Sequence, residues 1–403
     1  MTFNFRSIPI GELCQGIYDG PHATPAPSDS GAIFLGISNF VNGKLNLSPS
    51  NIRYISEEDY PKWTKRVTPK AHDIVFSYEA TLNLYAIIPD GFRGCLGRRM
   101  ALMRPDEGVV DYRFLYYYMF SPAWREEVER YKVNGSTVDR IPLVSFPSFR
   151  VDLPNMRTQK AIADILFAID QKIDSNSRVN DNLEQQAVAL FKSWFVDFSL
   201  FGGTVPENWE DTTLENITTL ITRGIAPKYS DNSDQTVVNQ KCIRNHTIDL
   251  SLARTHTPKA INEKWLKFGD LLINSTGDGT LGRVAQVWFT PKALTVDSHV
   301  TIVRPAREEL IFYIGLWGIL HEKEIESLHT GSTGQTELPR DRVKMLKLLL
   351  PDDSSLSRFN SIIAPMASTI ISNQEENQKL ASLRDTLLPK LMSGEIDVSN
   401  IQL

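Results

Sequence analysis

The chain has 403 residues, of which 41% are hydrophobic, and its formal net charge is −5. This length exceeds one ordinary core and predicts two or three domains, while the apolar content and mixed charges exclude a disordered chain. The sequence has no run of eighteen apolar residues and no charged leader with a cleavage site, so we expect a soluble cytoplasmic protein.

Charge and cysteine usage exclude further classes. Basic and acidic residues are nearly balanced in residues 1–153 and in residues 199–350, so any DNA-binding surface must be a local patch. The three cysteines lie far apart, without CxxC or Cys/His spacing, and the seven histidines lack ligand spacing. We therefore expect no disulfide scaffold and no metal site.

Residues 1–153 are typical of a mixed α/β domain. Strand character is found in "DIVFSY" (73–78) and "RMALMRP" (99–105), and helical character in "YRFLYYYMFSPAWREEVERY" (112–131). The Gly/Pro-rich stretch "DGPHATPAPSDSG" (19–31) predicts a long loop.

Residues 154–198 predict one long amphipathic helix. Its apolar positions alternate spacings of four and three, which is the pattern of a coiled-coil seam. The seam positions are Ile162, Leu166, Ile169, Ile173, Asn176, Asn180, Leu183, Ala187, Leu190 and Trp194.

After a linker at 199–204, residues 205–350 again predict a mixed α/β domain. Its predicted strands are "DLLINS" (270–275), "RVAQVWF" (283–289) and "HVTIVRP" (299–305), and residues 309–328 are predicted to be helical. The stretch "RGIAPKYSDNSDQ" (223–235) predicts a second long loop.

Residues 351–396 predict a second long helix, followed by a tail at 397–403. The seam register recurs at Phe359, Ile363, Met366, Ile370, Asn373, Asn377, Leu380, Leu387 and Leu391, with Arg384 as an interruption. Pro365 is predicted to kink this helix or to mark its effective start, and "SGE" (393–395) to end it.

A shift of the sequence by 197 residues aligns its two halves. "HDIVFS" (72–77) falls on "GDLLIN" (269–274), and "LP" (153–154) on "LP" (350–351); with small insertions, "NGST" (134–137) matches "TGST" (330–333). A period of this length indicates a duplicated domain.

The order of the segments predicts that the two helices pack antiparallel. Asn176, Asn180, Asn373 and Asn377 would then meet near the middle of the seam, where buried asparagines fix register and partner number. The alternative is that these asparagines face solvent where the helices splay apart. A helix of this length spans roughly 60 Å, so two similar heads on such a spacer suit a long polymer such as duplex DNA.

Three stretches of the sequence, together with the two heads, resemble a known family. The stretch "PNMRTQKAIADILFAIDQKIDSNSRVNDNLEQQAVALFKSWFVDF" (154–198), then "GGTVPENW" (202–209), and finally "NQKLASLRDTLLPKLMSGEI" (377–396) are similar to the specificity subunit of type I restriction–modification systems. With the two heads, the resemblance covers essentially the whole chain. One departure is "PDDSSLSRFNSIIAP" (351–365), where the first repeat has "PNMRTQKAIADIL" including Gln159.

The resemblance implies a non-catalytic subunit without cofactors. Each head would be a target recognition domain that reads one half of a bipartite site in double-stranded DNA. The helices would set the gap between the halves and hold two methyltransferase subunits, which recruit the restriction subunits. The alternative is a stand-alone two-headed DNA-binding regulator without enzyme partners.

Candidate DNA-binding residues follow from the chemistry of base edges, which pairs Arg or Lys with guanine, Asn or Gln with adenine, and acids with cytosine. In the first head they are Tyr18, His22, Lys65, Arg66, Tyr78, Glu79, Asn83, Arg98 and Arg99. In the second head they are Arg223, Lys228, Tyr229, Asn239, Gln240, Lys241, Arg244, Ser275, Thr276 and Thr280. For each of them a solvated loop position is the alternative.

Two further sets of candidates lie at the ends of the heads and helices. Ser136, Thr137, Ser332 and Thr333 lie in turns whose backbone N–H groups suit a phosphate, although a structural turn explains them equally well. Trp194, Phe195, Leu387, Leu388 and Leu391 are expected to pack against the partner helix, and the resemblance adds a docking surface for methyltransferase subunits.

One stretch suggests an enzyme instead. "GDGTLG" (277–282) fits the glycine spacing of a dinucleotide-binding loop, with Asp297 downstream. Such a loop requires a helix next, whereas "RVAQVWF" predicts a strand. We therefore interpret it as a hairpin turn.

Overall fold

The computed structural model describes residues 5–49, 51–135, 138–277, 279–331 and 336–398. The chain divides into two compact units, the first made of residues 1–174 and 377–403 and the second of residues 175–376. Each unit therefore contains one head and a part of both long helices.

The first unit contains eleven described strands and three short helices. The strands are β1 Arg6–Pro9, β2 Cys14–Asp19, β3 Ala32–Leu35, β4 Phe40–Val41, β5 Lys44–Leu45, β6 Tyr54–Ile55, β7 Ile74–Ser77, β8 Tyr85–Ile87, β9 Gly94–Leu96, β10 Met100–Pro105 and β11 Arg150–Leu153. The short helices are α1 Tyr60–Trp63, α2 Tyr112–Tyr118 and α3 Pro122–Tyr131, and the first long helix is α4 Met156–Phe195.

The second unit repeats this plan. Its strands are β12 Glu210–Thr213, β13 Thr218–Arg223, β14 Thr236–Val238, β15 Ile243–Arg244, β16 Thr247–Ile248, β17 Arg254–Thr255, β18 Leu271–Asn274, β19 Val284–Gln286, β20 Leu294–Val296, β21 Val300–Pro305 and β22 Lys347–Leu350. Its helices are α5 Ile311–Leu320, α6 Glu322–Ser327 and α7 Arg340–Lys344, and the second long helix is α8 Asp353–Met392.

Strand pairing is the same in both heads. The central sheets have the orders β2-β10-β7-β8 and β13-β21-β18-β19, and all their neighbours are antiparallel. The smaller sheets β6-β3-β9 and β17-β14-β20 each contain one parallel pair. Every strand of the second head thus corresponds to the strand numbered eleven lower in the first, which is the arrangement expected of a repeated domain.

The middle strands are buried on both faces because each central sheet lies between two apolar layers. In β7, Ile74 and Phe76 pack into a core with α2 and α3, while Val75 packs into a second core with Leu35 and Leu96 from the smaller sheet. The strand β18 divides its side chains in the same way. Strands buried in this manner carry continuous apolar runs, which is why they were predicted.

Residues 112–131 and 309–328 are each predicted to form one continuous helix. In the structure each of these stretches is divided into two helices. The division in residues 112–131 falls at Ser121, which accepts a hydrogen bond from the Trp124 amide (3.2 Å) and begins α3 with Pro122 at its first position. In the second head the division between α5 and α6 falls at His321.

The long helices begin at equivalent residues despite their different sequences. Asn155 Oδ1 accepts the Thr158 amide (3.0 Å), and Asp352 Oδ1 accepts the Ser355 amide (3.0 Å). The hydrogen bonds from Ser355 are the main reason that the pKa of Asp352 falls to about 2. Pro365 does not mark the effective start of the second helix, because this cap begins α8 at Asp353, and the alternative of a kink at Pro365 stays a prediction. The predicted end is confirmed, since α8 ends at Met392 and Gly394 adopts a φ of +74°.

Within each unit the long helices pack antiparallel. In the first unit Asn377 Nδ2 donates to the Ile173 carbonyl (3.5 Å) and Arg384 Nη1 to Asp170 Oδ1 (2.9 Å). In the second unit Asn176 Nδ2 donates to Glu376 Oε2 (2.7 Å) and Asn373 Nδ2 to Asn180 Oδ1 (2.8 Å). Residue numbers on one helix fall as those on the other rise, as the coiled-coil prediction requires.

A short hairpin joins each head to α4 through an ion pair. In the first unit Lys44 Nζ of the β4–β5 hairpin lies 2.5 Å from Asp174 Oδ1. In the second unit His246 of the β15–β16 turn lies 2.9 Å from Glu184 Oε1 and 3.5 Å from Glu322 Oε2. These carboxylates raise the pKa of His246 to about 9.

Candidate nucleic-acid interface

Polar residues follow the ends of neighbouring strands at one edge of each central sheet. In the first head β10 pairs with β2 and β7, and its register places Ala101 opposite Asp19 and Met100 opposite Ser77. Because these pairs are antiparallel, the end of β2, the end of β7 and the start of β10 meet. We call this the reading edge of the head; in the second head the same edge is formed by β13, β18 and β21.

The reading edge of the first head is built around Asp19. Its Oδ2 lies 3.0 Å from His22 Nε2 and 2.5 Å from Arg66 Nη1. The Tyr78 hydroxyl lies 3.4 Å from the other ring nitrogen of His22. Burial, followed by the charges of Asp19 and Glu79, raises the pKa of Tyr78, so its hydroxyl stays a hydrogen-bond donor.

A second ion pair lies at the same edge. Arg99 Nε is 3.4 Å from Glu79 Oε1, and Arg98 next to it is exposed. Glu79 forms a backbone bridge with Arg140, which brings the segment after α3 to this edge. The structure therefore brings together six of the predicted residues, namely His22, Arg66, Tyr78, Glu79, Arg98 and Arg99.

Three predicted residues of the first head lie differently. The ring of Tyr18 lies under Arg104 (6.0 Å to the guanidinium carbon) and packs into the core between the sheets. Asn83 Oδ1 accepts a hydrogen bond from the buried Tyr85 hydroxyl (3.1 Å), so this oxygen already has a partner inside the head. Lys65 is exposed beside Arg66.

In the second head the reading edge carries other side chains. Arg223, the last residue of β13, places Nη1 2.5 Å from Glu337 Oε1 and donates from Nη2 to the Leu338 carbonyl (2.8 Å). The Thr276 hydroxyl lies 3.1 Å from Gln240 Oε1 and 2.7 Å from His299 Nδ1. Thr276 and Glu337 form the backbone bridge that corresponds to Glu79 and Arg140.

Several predicted residues of the second head have structural contacts. Asn239 Oδ1 accepts the Lys241 amide (2.9 Å), and its Nδ2 donates to the Leu252 carbonyl (3.2 Å). Ser275 is fully buried, with its hydroxyl 2.5 Å from that of Thr301. The Thr280 hydroxyl donates to the Thr276 and Gly277 carbonyls (both 3.3 Å) and so stabilises the turn after β18.

The remaining predicted residues of the second head are exposed. Tyr229 stacks against the Arg254 guanidinium, 3.6 Å from the ring centroid, and Lys228 lies beside it. Lys241 and Arg244 are exposed around the β15 strand. Ser136, Thr137, Ser332 and Thr333, predicted as phosphate contacts, lie outside the described residues.

The residues predicted at the helix ends are largely buried in their own units. Trp194 and Phe195 pack with Phe359 and Tyr313 in the second unit. Leu388 and Leu391 belong to the core of the first unit, and Leu387 packs against it. The predicted packing against the partner helix is confirmed for Trp194 and Phe195, which contact Phe359 of α8. A docking role remains a prediction.

The seam asparagines contact the facing helix within each unit, and Asn176 is only 4% exposed. The alternative prediction, that these asparagines face solvent between splayed helices, is therefore wrong. Their role in setting the register remains a prediction.

The glycine-rich stretch after β18 is a hairpin turn, as predicted. It joins β18 to β19, which pair antiparallel, and Gly277, Gly279 and Gly282 all have positive φ. A strand follows where a dinucleotide site requires a helix N-terminus.

Within the described ranges no group of His, Cys, Asp and Glu is arranged to hold a metal ion. Desolvation raises the pKa of Cys14, Cys95 and Cys242, which disfavours the reactive thiolate. No helix among those residues combines the length and apolar character needed to cross a bilayer.

Four residues at the reading edges are not among the predicted ones. Asp19 and Glu337 hold the arginines, His299 contacts Thr276, and Arg140 bridges to Glu79. The repeat could have indicated two of them, because Arg140 and Glu337 stand 197 positions apart after matched turns.

Comparisons with known proteins agree with this architecture. Residues 24–185 match the family model for the type I restriction modification DNA specificity domain. The chain is 25% identical over 385 residues to the type I restriction enzyme MjaIX specificity subunit of Methanocaldococcus jannaschii, covering 89% of this chain and 83% of that one. It is 22% identical over 448 residues to the HindI specificity subunit of Haemophilus influenzae, covering 90% and 94%.

The fold is also found in a solved structure. The S subunit of a type I restriction–modification system from M. genitalium superposes with a TM-score of 0.58 at 15% identity, covering 96% of both chains. Residues 24–185 thus match a DNA specificity domain, and the fold of the whole chain is that of the solved S subunit. Over about nine tenths of its length the chain is similar to curated specificity subunits of type I restriction enzymes.

Proposed function

We propose that this protein is the non-catalytic subunit that gives a type I restriction–modification complex its DNA sequence specificity. Each head reads one half of a bipartite target in double-stranded DNA. The first target recognition domain comprises residues 1–153 and the second residues 205–350, and the helical segments 154–198 and 351–396 set the gap between the halves.

The observation that supports this function most strongly is the repetition of one scaffold with two different reading edges. Strand order and backbone bridges correspond between the heads, while the side chains at the edges differ. The edge of the first head carries His22, Arg66 and Tyr78, and that of the second carries Arg223, Thr276 and His299. Two domains that read different base sequences on one duplex require this combination of a constant frame and variable donors and acceptors.

The residues available at the edges suit contacts with base edges and phosphates. Arginine can donate two parallel hydrogen bonds to guanine, and histidine, threonine and tyrosine can donate or accept single ones. The exposed Tyr229–Arg254 stack and Lys228 add a flat cationic surface in the second head, which suits the phosphate backbone. We propose Lys65, Lys241 and Arg244 as further phosphate contacts.

The partners follow from the family. Specificity subunits bind DNA and assemble with methyltransferase and restriction subunits. We propose that this chain holds two methyltransferase subunits, in the cytoplasm, and that exposed residues near the buried Trp194 and Leu391 contribute to their docking. The alternative of a stand-alone regulator has no support among the relatives, which are named as specificity subunits.

Purification from its own cells tests this proposal. The tagged chain is expected to co-purify with methyltransferase chains at a ratio of one to two, measured by native mass spectrometry. Sequencing of methylated adenines in the same cells should give one bipartite motif, which disappears when the gene for the chain is deleted. A chain that purifies alone, binds DNA tightly and leaves methylation unchanged on deletion would contradict the proposal.

A further inference from the structure

One arginine in each head is held in the same way at the reading edge. Arg66 Nη1 lies 2.5 Å from Asp19 Oδ2 and donates to the Gly20 carbonyl at 3.3 Å. Arg223 Nη1 lies 2.5 Å from Glu337 Oε1, and Nη2 donates to the Leu338 carbonyl at 2.8 Å. In both heads a carboxylate and the carbonyl of the following residue therefore fix the guanidinium.

The two arrangements use opposite residue types at corresponding places. Asp19 is the last residue of β2 and Arg223 the last residue of β13, so the strand supplies the acid in one head and the arginine in the other. The partner residue comes from a different segment in each head. If both heads had inherited one ion pair from a duplicated domain, the acid and the arginine would stand at the same positions in both heads. Because they stand at different positions, the recurrence of the pair indicates that both heads need an arginine held by a carboxylate.

Folding stability does not explain these pairs. The side chains of Arg66 and Asp19 are 50% and 29% exposed, and those of Arg223 and Glu337 are 27% and 56% exposed. Ion pairs this exposed contribute little to stability because water screens them and long side chains lose entropy. A carboxylate beside DNA also repels phosphate, so its presence at a DNA-facing edge needs a reason.

We infer that Asp19 and Glu337 are specificity-determining residues, an inference that rests on the proposed DNA-reading function. Each carboxylate fixes the direction of its arginine and neutralises its charge. A phosphate offers two acceptor oxygens to the guanidinium, but it is negatively charged and the carboxylate repels it, whereas a neutral guanine is not repelled. A guanine offers N7 and O6 to the fixed fork of the guanidinium, so each head gains from its arginine only where a guanine stands in its half-site.

The test uses the full chain purified with its methyltransferase subunits and three duplexes. One duplex contains the bipartite motif identified by sequencing methylated adenines. The other two have the first or the second half of that motif scrambled. Asp19→Asn is expected to tighten binding to the duplex scrambled in the half read by the first head by about fivefold, so that the ratio of affinities for the intact and this scrambled duplex falls. The slope of log K against log salt on that duplex should steepen by about 0.9, because one more phosphate is neutralised. Glu337→Gln should do the same for the other half.

A matched control is available in the second head. Glu215 pairs with Lys344 at 2.6 Å, with side chains 50% and 27% exposed, and it precedes β13 at the end opposite Arg223. Glu215→Gln removes the same charge from an ion pair of similar exposure that contains lysine instead of arginine. The ratio of affinities for the intact and scrambled duplexes should not change. Asp19→Glu, which retains the charge, should keep the discrimination close to that of the unaltered chain.

The outcomes separate this inference from the proposed function. An unaltered chain that binds all three duplexes equally would overturn the proposed function itself. If the unaltered chain discriminates and the ratios stay the same in Asp19→Asn and Glu337→Gln, only the inference on these carboxylates is overturned. It is also overturned if affinity for all duplexes falls together with the melting temperature, since that result marks a structural pair.

Discussion

At the scale of single residues, a buried arginine–carboxylate pair joins β21 to the residue before β18. Arg304 donates from Nε and Nη2 to the two oxygens of Asp270, both at 2.7 Å, and Asp270 is fully buried. Arg104 and Asp73 form the corresponding pair in the first head. Arg304 also donates to the Glu263 and Trp265 carbonyls, so it fixes the loop before β18.

Arg304→Met should therefore destabilise the second unit strongly. The variant leaves the Asp270 carboxylate buried without its cation, which costs about 3–5 kcal/mol of unfolding free energy. Urea unfolding followed by tryptophan fluorescence measures the loss. The control is Glu57→Gln, because the Arg93–Glu57 pair is exposed and should contribute nothing measurable. Equal effects of the two variants would show that burial of the pair is not what matters.

His246 predicts a pH dependence of stability in the second unit. Its pKa is raised to about 9 by Glu184 and Glu322, from an ordinary value of 6.5. A raised pKa means that the stabilisation is fully present below pH 6.5 and is lost as pH rises through 9, by roughly 2 kcal/mol after solvent screening. Calorimetry between pH 6 and 10 should show this decline in the unaltered chain and a much smaller one in His246→Gln. A decline of the same size in both chains would assign it to other groups.

At the scale of elements, the seam of the long helices depends on hydrogen-bonded asparagines. Asn373 Nδ2 donates to Asn180 Oδ1 at 2.8 Å within the second unit, among apolar seam positions such as Ile370. Asn373→Leu leaves the Asn180 side chain without this donor and should cost about 1–2 kcal/mol of unfolding free energy. The double variant with Asn180→Leu should recover most of the loss, because both polar groups are then replaced together. A double variant as unstable as the sum of the single ones would contradict a coupled pair.

The elements differed in how well their sequences predicted them. The long helices were predicted because their seams, with ten positions in α4 from Ile162 to Trp194 and nine in α8, sustain one period over most of each 40-residue helix. The strands β7 and β18 were predicted from continuous apolar runs. The two-residue strands β4 and β15 were not, because a hairpin this short is defined by pairing across the chain and has no measurable period.

The reading edges were predicted only in part. Exposed or terminal positions such as Arg66 and Arg223 were selected because their chemistry suits base edges. Asp19 and Glu337 were missed because a contact such as that between Arg223 and Glu337 joins positions far apart in sequence, and strand pairing alone brings them together. Ser275 and Asn239 are predicted from residue type, and only tertiary packing shows that their polar groups are already hydrogen-bonded. Tyr18 is also predicted from residue type, and its ring packs against the core between the sheets.

At the scale of the whole molecule, the repeat separates what is constant from what varies. Both units keep the same strand order, the same buried Arg–Asp pair and the same cap positions on their long helices. The reading edges keep the backbone bridges and change the side chains. A head with a constant core and a variable reading edge can change its target sequence by substitutions at that edge while its core stays intact.

The central claim is that each head reads its half of the target independently. The most direct measurement exchanges residues 205–350 for the corresponding head of a specificity subunit with a known target, and sequences the methylated adenines in cells that also carry the methyltransferase. We predict that one half of the bipartite motif becomes that of the donor, while the other half and its methylated position stay unchanged. A motif that changes in both halves, or in neither although methylation persists, would contradict the account.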